Sequence, residues 1–470
     1  MTFANARELT TAALGNHDYR RKHSLPTIPS EQSTSPLVAL ASALDQAGRY
    51  NEHRAQKERG LPGLAIRNHR RFYEDTDFAT EAEIFVAERI QQSTGADGAE
   101  VRFISGTQAN EGVYRTLYAM RNKDGKGAIR PLGYVFRLGM LNGGHLSHEA
   151  MGTLGPFLGR DTITERYMVD ELVMQDGNRY LLDVPATIEA IERRMESPEG
   201  VSLVIFGGSL IPHPLANAGE VIAHFADRKD RPFFYLDGAH ISAVWTPESN
   251  PFTQGFDAAM LTQHKVRFGT QRGFTVYQIR NELQERFAVA HSQAAFPGET
   301  SNHHLGTLVG AAYAELEWGM HQSAFVPRVL ENARHYAAAL AHLGMHVEGG
   351  RESGYTTGNQ VVVYVGREKG EEMAAALRKS GITTNHQVLP GHDDGTQRPS
   401  GVRMGVGELT RFGFGKAEFA KLAELVYAVV VKDRSVREDA RALRSGFTKM
   451  LYRLPGEAEL CAEMIERFLV

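Results

Sequence analysis

Phe233-Phe234-Tyr235-Leu236-Asp237-Gly238-Ala239-His240 and, further on, Ala258-Ala259-Met260-Leu261-Thr262-Gln263-His264-Lys265 decide the fold. In each, an apolar run short enough for one buried strand ends abruptly in groups that carry charge or hydrogen bonds. Open parallel sheets bind ligands at the carboxyl ends of their strands, so an aspartate and a lysine in these places mark one edge of a sheet. Val101–Ile104, Leu203–Phe206 and Thr275–Ile279 read as further buried strands. Amphipathic stretches at 80–92, 108–121, 185–196 and 217–227 read as the helices between them. Strand and helix in alternation predict an α/β fold with a mainly parallel sheet sandwiched by helices.

From residue 310 the pattern changes. Helical stretches at 308–320, 326–343, 370–380 and 415–431 frame strand candidates at 345–348 and 360–365, a smaller C-terminal α+β domain. The predicted organisation is an N-terminal arm (1–45), a large domain (46–308), a small domain (309–431) and a helical extension (432–470). In that extension Leu443, Met450, Leu451 and Leu460 are candidate docking positions.

The chain has 470 residues, 52 Lys+Arg against 56 Asp+Glu, and a formal charge of −4. That balance gives no long-range field for nucleic acid or an anionic membrane. No apolar run approaches the roughly 20 residues that span a bilayer, and residues 1–23 lack the core of a signal peptide. The single cysteine, Cys461, rules out an intramolecular disulfide and a cysteine-based zinc site, and suits a reducing compartment. A cytoplasmic protein is expected.

Two more segments join the first two at the predicted sheet edge. Ser105-Gly106-Thr107-Gln108-Ala109-Asn110 opens a helix with hydroxyls and free amides, a phosphate cradle or simply an N-cap. Asn142-Gly143-Gly144-His145-Leu146-Ser147-His148 turns tightly before an imidazole. Together the four offer a phosphate site, a ring for stacking, a carboxylate and a lysine. Pyridoxal 5′-phosphate needs that combination: the lysine amine condenses with its aldehyde, and the aspartate keeps its ring nitrogen protonated. A nucleotide-binding sheet would instead show a glycine fingerprint after a strand, and none is present.

These segments resemble the serine hydroxymethyltransferase-like family of fold-type I (aspartate-aminotransferase-like) pyridoxal-phosphate enzymes, from about Ser24 to Val430. Ile28-Pro29-Ser30-Glu31-Gln32-Ser33-Thr34-Ser35-Pro36, Arg49-Tyr50-Asn51-Glu52, Arg71-Phe72-Tyr73 and Ser400-Gly401-Val402-Arg403-Met404-Gly405 are similar to further family segments in the family's order. The resemblance implies cofactor contacts from Ser105, Gly106, Thr107, His145, Asp237, His240, His264 and Lys265. It implies substrate contacts from Ser30, Tyr50, Tyr73 and Arg403, with Lys265 catalytic and Glu52 or His148 as base for a substrate hydroxyl. It also implies a homodimer or a dimer of dimers. No metal is expected, since Asn302-His303-His304 has no acid at ligand spacing.

Three departures point away from the parent activity. The family's Gly-Pro-Arg-Gly-Gly is replaced by Gly269-Thr270-Gln271-Arg272-Gly273, closer to the threonine transaldolases. About eleven residues, including Gly60-Leu61-Pro62-Gly63, are inserted after Glu52. Phe296-Pro297-Gly298-Glu299 lacks the family's glycine run. The expected activity is retro-aldol cleavage or transfer at the Cα–Cβ bond of a β-hydroxy α-amino acid, of aldolase or transaldolase type. The alternatives are tetrahydrofolate-dependent serine (or α-methylserine) hydroxymethyl transfer, and an aminotransferase or decarboxylase of the same fold. The small molecules expected are an amino acid and an aldehyde.

Overall fold

The computed structural model describes residues 3–53, 71–122, 129–176, 178–207, 213, 217–242, 245, 249–392 and 398–469. The insertion predicted after Glu52 lies outside them. The chain forms two compact units: a larger one, Ser33–Gln322 with Arg453–Val470, and a smaller one, Met1–Gln32 with Ser323–Tyr452.

The larger unit is built on seven strands: β1 (Gly98–Glu100), β2 (Tyr134–Arg137), β3 (Val169–Glu171), β4 (Val201–Gly207), β5 (Phe233–Asp237), β6 (Ala258–Thr262) and β7 (Gly273–Tyr277), in the order β1-β7-β6-β5-β4-β2-β3. Strands β3, β2, β4, β5 and β6 run parallel. They are nearly continuous apolar runs because helices bury both faces. Among the described residues no helix is long and apolar enough to cross a membrane.

Two expectations about this sheet change. Strand β7 is antiparallel to both of its neighbours. Only Gln263–Arg272 separate it from β6, and a parallel crossover needs about a dozen residues or more. Residues 101–104 are not a strand. The buried Glu100 carboxylate takes both the backbone N–H of Arg102 (3.0 Å) and its guanidinium (2.6 Å), which turns the chain off the ladder. This break brings Ser105 to the cavity edge: Gly273 N–H donates to Phe103 O (3.2 Å), and a Cβ at 273 would lie 2.2 Å from Ser105 O. Only glycine tolerates that approach.

Helix α1 (Gly106–Arg121) follows, with Ser105 as N-cap accepting from the N–H of Gln108. The two helices predicted at 308–320 and 326–343 are one helix, α2 (Leu305–His342), with Pro327 inside it. Buried Phe325, Val329, Ala333, Tyr336 and Leu340 carry the apolar stripe past the proline.

In the tail, Met450 is buried while Leu451 and Leu460 are exposed. Its last helix, α3 (Glu457–Phe468), docks through charge: the buried Glu457 carboxylate accepts from Leu37 N–H (3.1 Å) in the first turn of the helix Pro36–Ala43.

The smaller unit carries a four-stranded antiparallel sheet of β8 (His346–Val347), β9 (Gln360–Tyr364), β10 (Asn385–Gln387) and β11 (Gly401–Gly405), ordered β8-β9-β11-β10.

One buried group of the larger unit sets a pH dependence. His291 stacks on Phe287 with ring centroids 4.8 Å apart, and its Nδ1 lies 2.7 Å from Thr116 Oγ1. Burial pushes its pKa from 6.5 down to about 4. The unfolded chain therefore binds a proton near pH 6.5 that the folded chain refuses until about 4. Stability is full above that window and is lost as pH falls through it, by about 1.4 kcal/mol per unit. Melting temperatures recorded from neutral pH to about 4 are expected to fall more steeply for the wild type than for His291→Gln.

Candidate active site

A cavity of about 190 Å³ opens at the carboxyl ends of β5 and β6. Ile104, Ser105, Gly106, Thr107, Asn110, His145, Asp237, Ala239, Met260, Thr262, His264, Lys265 and Gln271 line it. Four segments remote in sequence thus converge, because each leaves the same edge of one sheet.

Asp237 ends β5 and is almost wholly buried. Its Oδ2 accepts from His148 Nε2 (2.9 Å) and Asn110 Nδ2 (3.1 Å), and its Oδ1 from Ala239 N–H (3.1 Å). Burial opposes the charge. The hydrogen bond from His148 first, with the charge of Lys265 beside it, outweighs it and holds this carboxyl well below the usual carboxylate range. It therefore faces the cavity as an anion.

The imidazole behind it is oriented in turn. His148 Nδ1 lies 2.6 Å from the hydroxyl of Tyr114, whose pKa burial pushes well up, so the phenol donates and Nε2–H points at Asp237. Both nitrogens of His148 are thus engaged, and the ring does not line the cavity. The geometry makes it a positioning residue for Asp237 and leaves it no nitrogen for a substrate hydroxyl.

Asn110 joins this network to the His145 imidazole. Tyr235 Oη donates to its Oδ1 (2.6 Å), and its Nδ2 donates to Ser147 Oγ (2.9 Å). The hydroxyl (2.8 Å) and N–H (3.2 Å) of Ser147 donate to His145 Nδ1 and fix that ring at the cavity wall. Tyr114, Ser147 and Tyr235 were not singled out from sequence. The signal for Tyr114 was its place four residues after Asn110 on one helix, hence on the same face.

Lys265 stands on the turn after β6. Gln263 points away from the cavity, donating to Ala311 O (3.2 Å) and Glu315 Oε1 (3.0 Å), while Arg267 pairs with Glu315 in the interior. The turn is locked on both sides of the lysine. His264 also faces the cavity. Burial first, then the Lys265 charge, lowers its pKa to about 4, and its buried Nδ1 has no hydrogen-bond partner among the described residues. Arg272 turns inward, donating to the carbonyls of Val101 (2.8 Å) and His303 (2.8 Å), so neutral Gln271 meets the cavity instead.

These residues fit pyridoxal phosphate. The glycine-permitted approach of β7 presents the N-terminus of α1 for a phosphate, the anionic Asp237 suits a protonated ring nitrogen, the Nδ1 of His264 awaits a polar partner, and an amine faces the same space. His240 is buried just past Ala239 and does not line the cavity.

Glu52, Tyr50 and Tyr73 form a separate group of the larger unit. The buried Glu52 carboxylate accepts from the Ser301 hydroxyl and, by a hydrogen bond that raises the tyrosine's pKa, from Tyr73, whose ring lies 5.3 Å from that of Tyr50. The segment is held by Glu83. Its Oε1 takes His53 Nε2 (2.8 Å) and its Oε2 takes His303 Nε2 (3.2 Å). Burial opposes the charge on Glu83, and these two imidazoles overcome it, holding the carboxyl well below its ordinary range.

In the smaller unit Arg403 lies in the middle of β11. It is buried, its Nε donates to Asn385 Oδ1 (3.3 Å), and burial brings its pKa down to about 10. Gly405 at the strand end lets Thr27–Pro29 pass closely, since a Cβ there would lie 2.5 Å from Pro29 Cα. The half-buried Ser30 follows directly.

Known proteins match most of the chain's length. A family model described as serine hydroxymethyltransferase matches residues 5–426. The serine hydroxymethyltransferase of Pyrobaculum arsenaticum is 30% identical over 460 residues, 96% of each chain. That of Metallosphaera sedula is 31% identical over 446 residues, 93% of this chain and 92% of the relative. Among solved structures, an L-threonine transaldolase from Pseudomonas fluorescens matches with a TM-score of 0.80 over 98% of this chain and 97% of that one, at 20% identity, a likeness of fold.

Proposed function

The chain belongs to the serine hydroxymethyltransferase family of pyridoxal-phosphate enzymes, and from that premise we propose that it works without folate on the Cα–Cβ bond of a β-hydroxy α-amino acid, as an aldolase or transaldolase. The observation that carries the folate-independent reading is Gln271. A folate brings carboxylates that a cation at the cavity would attract. Here the cavity residue is a neutral amide, and the adjacent guanidinium of Arg272 is spent on backbone carbonyls.

When bound, pyridoxal phosphate supplies an electron sink for the charge left at Cα. Ser105, Gly106 and Thr107 hold its phosphate at the helix N-terminus. His145 packs on its ring, Asp237 holds the proton on its ring nitrogen, and Lys265 supplies the amine that attaches its aldehyde. Arg403, with Ser30, grips the substrate carboxylate as a bidentate donor. Fixing that carboxylate would set which bond at Cα is broken, and the base that takes the hydroxyl proton would complete the cleavage. Glu52 is that base, since both nitrogens of His148 are engaged.

Among the described residues that line the cavity none comes from the Glu52 group, which supports a homodimer in which Glu52, Tyr50 and Tyr73 serve the second copy. Glu52→Gln keeps the shape and removes the base, and is expected to lower turnover by about 10²–10⁴-fold while the cofactor absorbance stays. Mixing Glu52→Gln with Lys265→Ala subunits is expected to restore activity that neither variant shows alone. An unchanged turnover in Glu52→Gln sinks the assignment.

A second reading, tetrahydrofolate-dependent hydroxymethyl transfer, is favoured by the retained Glu52–Tyr73 pair. Products distinguish the two. Acetaldehyde released from threonine without tetrahydrofolate supports the first, and loss of serine only when tetrahydrofolate is added supports the second. Keto-acid formation from alanine would replace both with an aminotransferase.

A further inference from the structure

The smaller unit contains a cluster that the proposed chemistry does not use. His346 and Glu348 stand two residues apart at the edge strand β8, and side chains at that spacing share one face of a sheet. Residue 347 between them, a valine, points into the core. Strand β8 pairs antiparallel with β9, placing His346 opposite Tyr364, and Glu348 N–H continues the ladder to Val362 O (2.9 Å). The stretch that follows β10 brings His392 onto this face. The His392 ring stacks on Tyr364 (centroids 4.5 Å apart, 27°), while His346 meets the same tyrosine edge-on at 5.5 Å. One phenol ring thus orients both imidazoles.

Between them lies the Glu348 carboxylate, whose side chain is 5% exposed. Its Oε1 is 3.1 Å from His392 Nε2 and 3.5 Å from His346 Nε2, and the three ligand atoms all lie within 4.8 Å of one another. Zinc bonds imidazole nitrogen and carboxylate oxygen at about 2.0–2.2 Å, which sets neighbouring ligands of a tetrahedron roughly 3.3 Å apart. The two observed separations bracket that figure. Two imidazoles with one carboxylate suit borderline cations such as zinc rather than calcium or magnesium, which prefer all-oxygen shells.

We propose that His346, Glu348 and His392 bind one divalent transition-metal ion, zinc in the first instance, with the remaining position open to water. The expectation of no metal rested on the Asn302-His303-His304 run; Glu348 and His392 are remote in sequence and meet only in the fold. His346, 59% exposed at its side chain, gives the ion a path from solvent. The ion would pin the stretch after β10 to the opposite edge of the same sheet.

The test uses the holoenzyme dialysed against a chelator and then exposed to zinc, with bound metal per chain and melting temperature measured. Pyridoxal phosphate itself coordinates metals, so the decisive quantity is the difference between wild type and His346→Ala. That substitution falls on an exposed side chain and is expected to leave the fold and the cofactor absorbance intact. The expected result is one zinc per chain in the wild type and a melting temperature that rises with zinc. In His346→Ala binding should weaken by more than the about 10–100-fold that loss of an outer-shell partner costs. His392→Ala is expected to behave alike. Zinc held equally by wild type and His346→Ala, or no stoichiometric zinc in the wild type, overturns the proposal.

Discussion

Lys265→Ala is expected to remove the visible absorbance of the holoenzyme and to lower turnover by at least about 10³-fold. The argument rests on where the amine stands. Lys265 is three residues beyond β6, on a turn locked by Gln263 and Arg267 against Glu315, and it lines the same cavity as Asp237 and the N-terminus of α1. A covalent attachment and an acid–base group are lost together, and the second alone is worth about 10²–10⁴-fold. Asp237 keeps its three hydrogen-bond donors in the alanine variant, and the melting temperature of the cofactor-free chain serves as the control for folding. Lys265→Arg separates charge from chemistry, because the guanidinium keeps the positive charge and cannot act as the attaching amine. Absorption spectra and turnover of both variants decide the matter. A yellow chromophore that survives Lys265→Ala would place the attachment elsewhere.

The parts of this site that could be read in the sequence are those set by local order. An apolar run followed at once by Asp237 or Lys265 says strand end, and parallel strand ends share an edge. Ser105 before a helix says N-cap, whatever binds there. The groups that tune these residues are less legible. Tyr114, Tyr235 and Ser147 reach the site only through α1, β5 and the turn after β2 meeting in space, and a tyrosine in an apolar run reads as core. The reversed direction of β7 follows from a connection too short to cross over, so it was open to a length argument. The end of β1 at Glu100 was not, because it depends on Arg102 folding back onto that carboxylate, a contact between buried ions that no apolar periodicity reports. Glu83 is similar: its helix, Asp77–Thr94, is plain from sequence, but two histidines from distant loops make it the anchor of the Glu52 segment.

Asp237→Asn is expected to lower turnover by about 10²–10⁴-fold and to weaken retention of the cofactor. The carboxylate has three donors around it, the Nε2–H of His148, the amide of Asn110 and the N–H of Ala239. An asparagine keeps one oxygen and turns its NH₂ toward some of those donors or toward the protonated ring nitrogen. In either orientation donors face donors in a dry site, and removing one partner of a buried charge pair costs about 3–5 kcal/mol. At about 1.4 kcal/mol per factor of ten, that is the loss anticipated. Without the anion Asp237 would no longer hold a proton on the ring nitrogen, and the electron sink the cofactor supplies would weaken. The loss should therefore fall on kcat more than on KM, because Arg403 and Ser30, proposed to grip the substrate, are untouched. Asp237→Glu keeps the charge and displaces it by one methylene, so it should lose less than the asparagine variant. Should Asp237→Asn turn over at the wild-type rate with its spectrum unchanged, the anion is not what holds the ring proton, and the His148–Tyr114 relay behind it has another purpose.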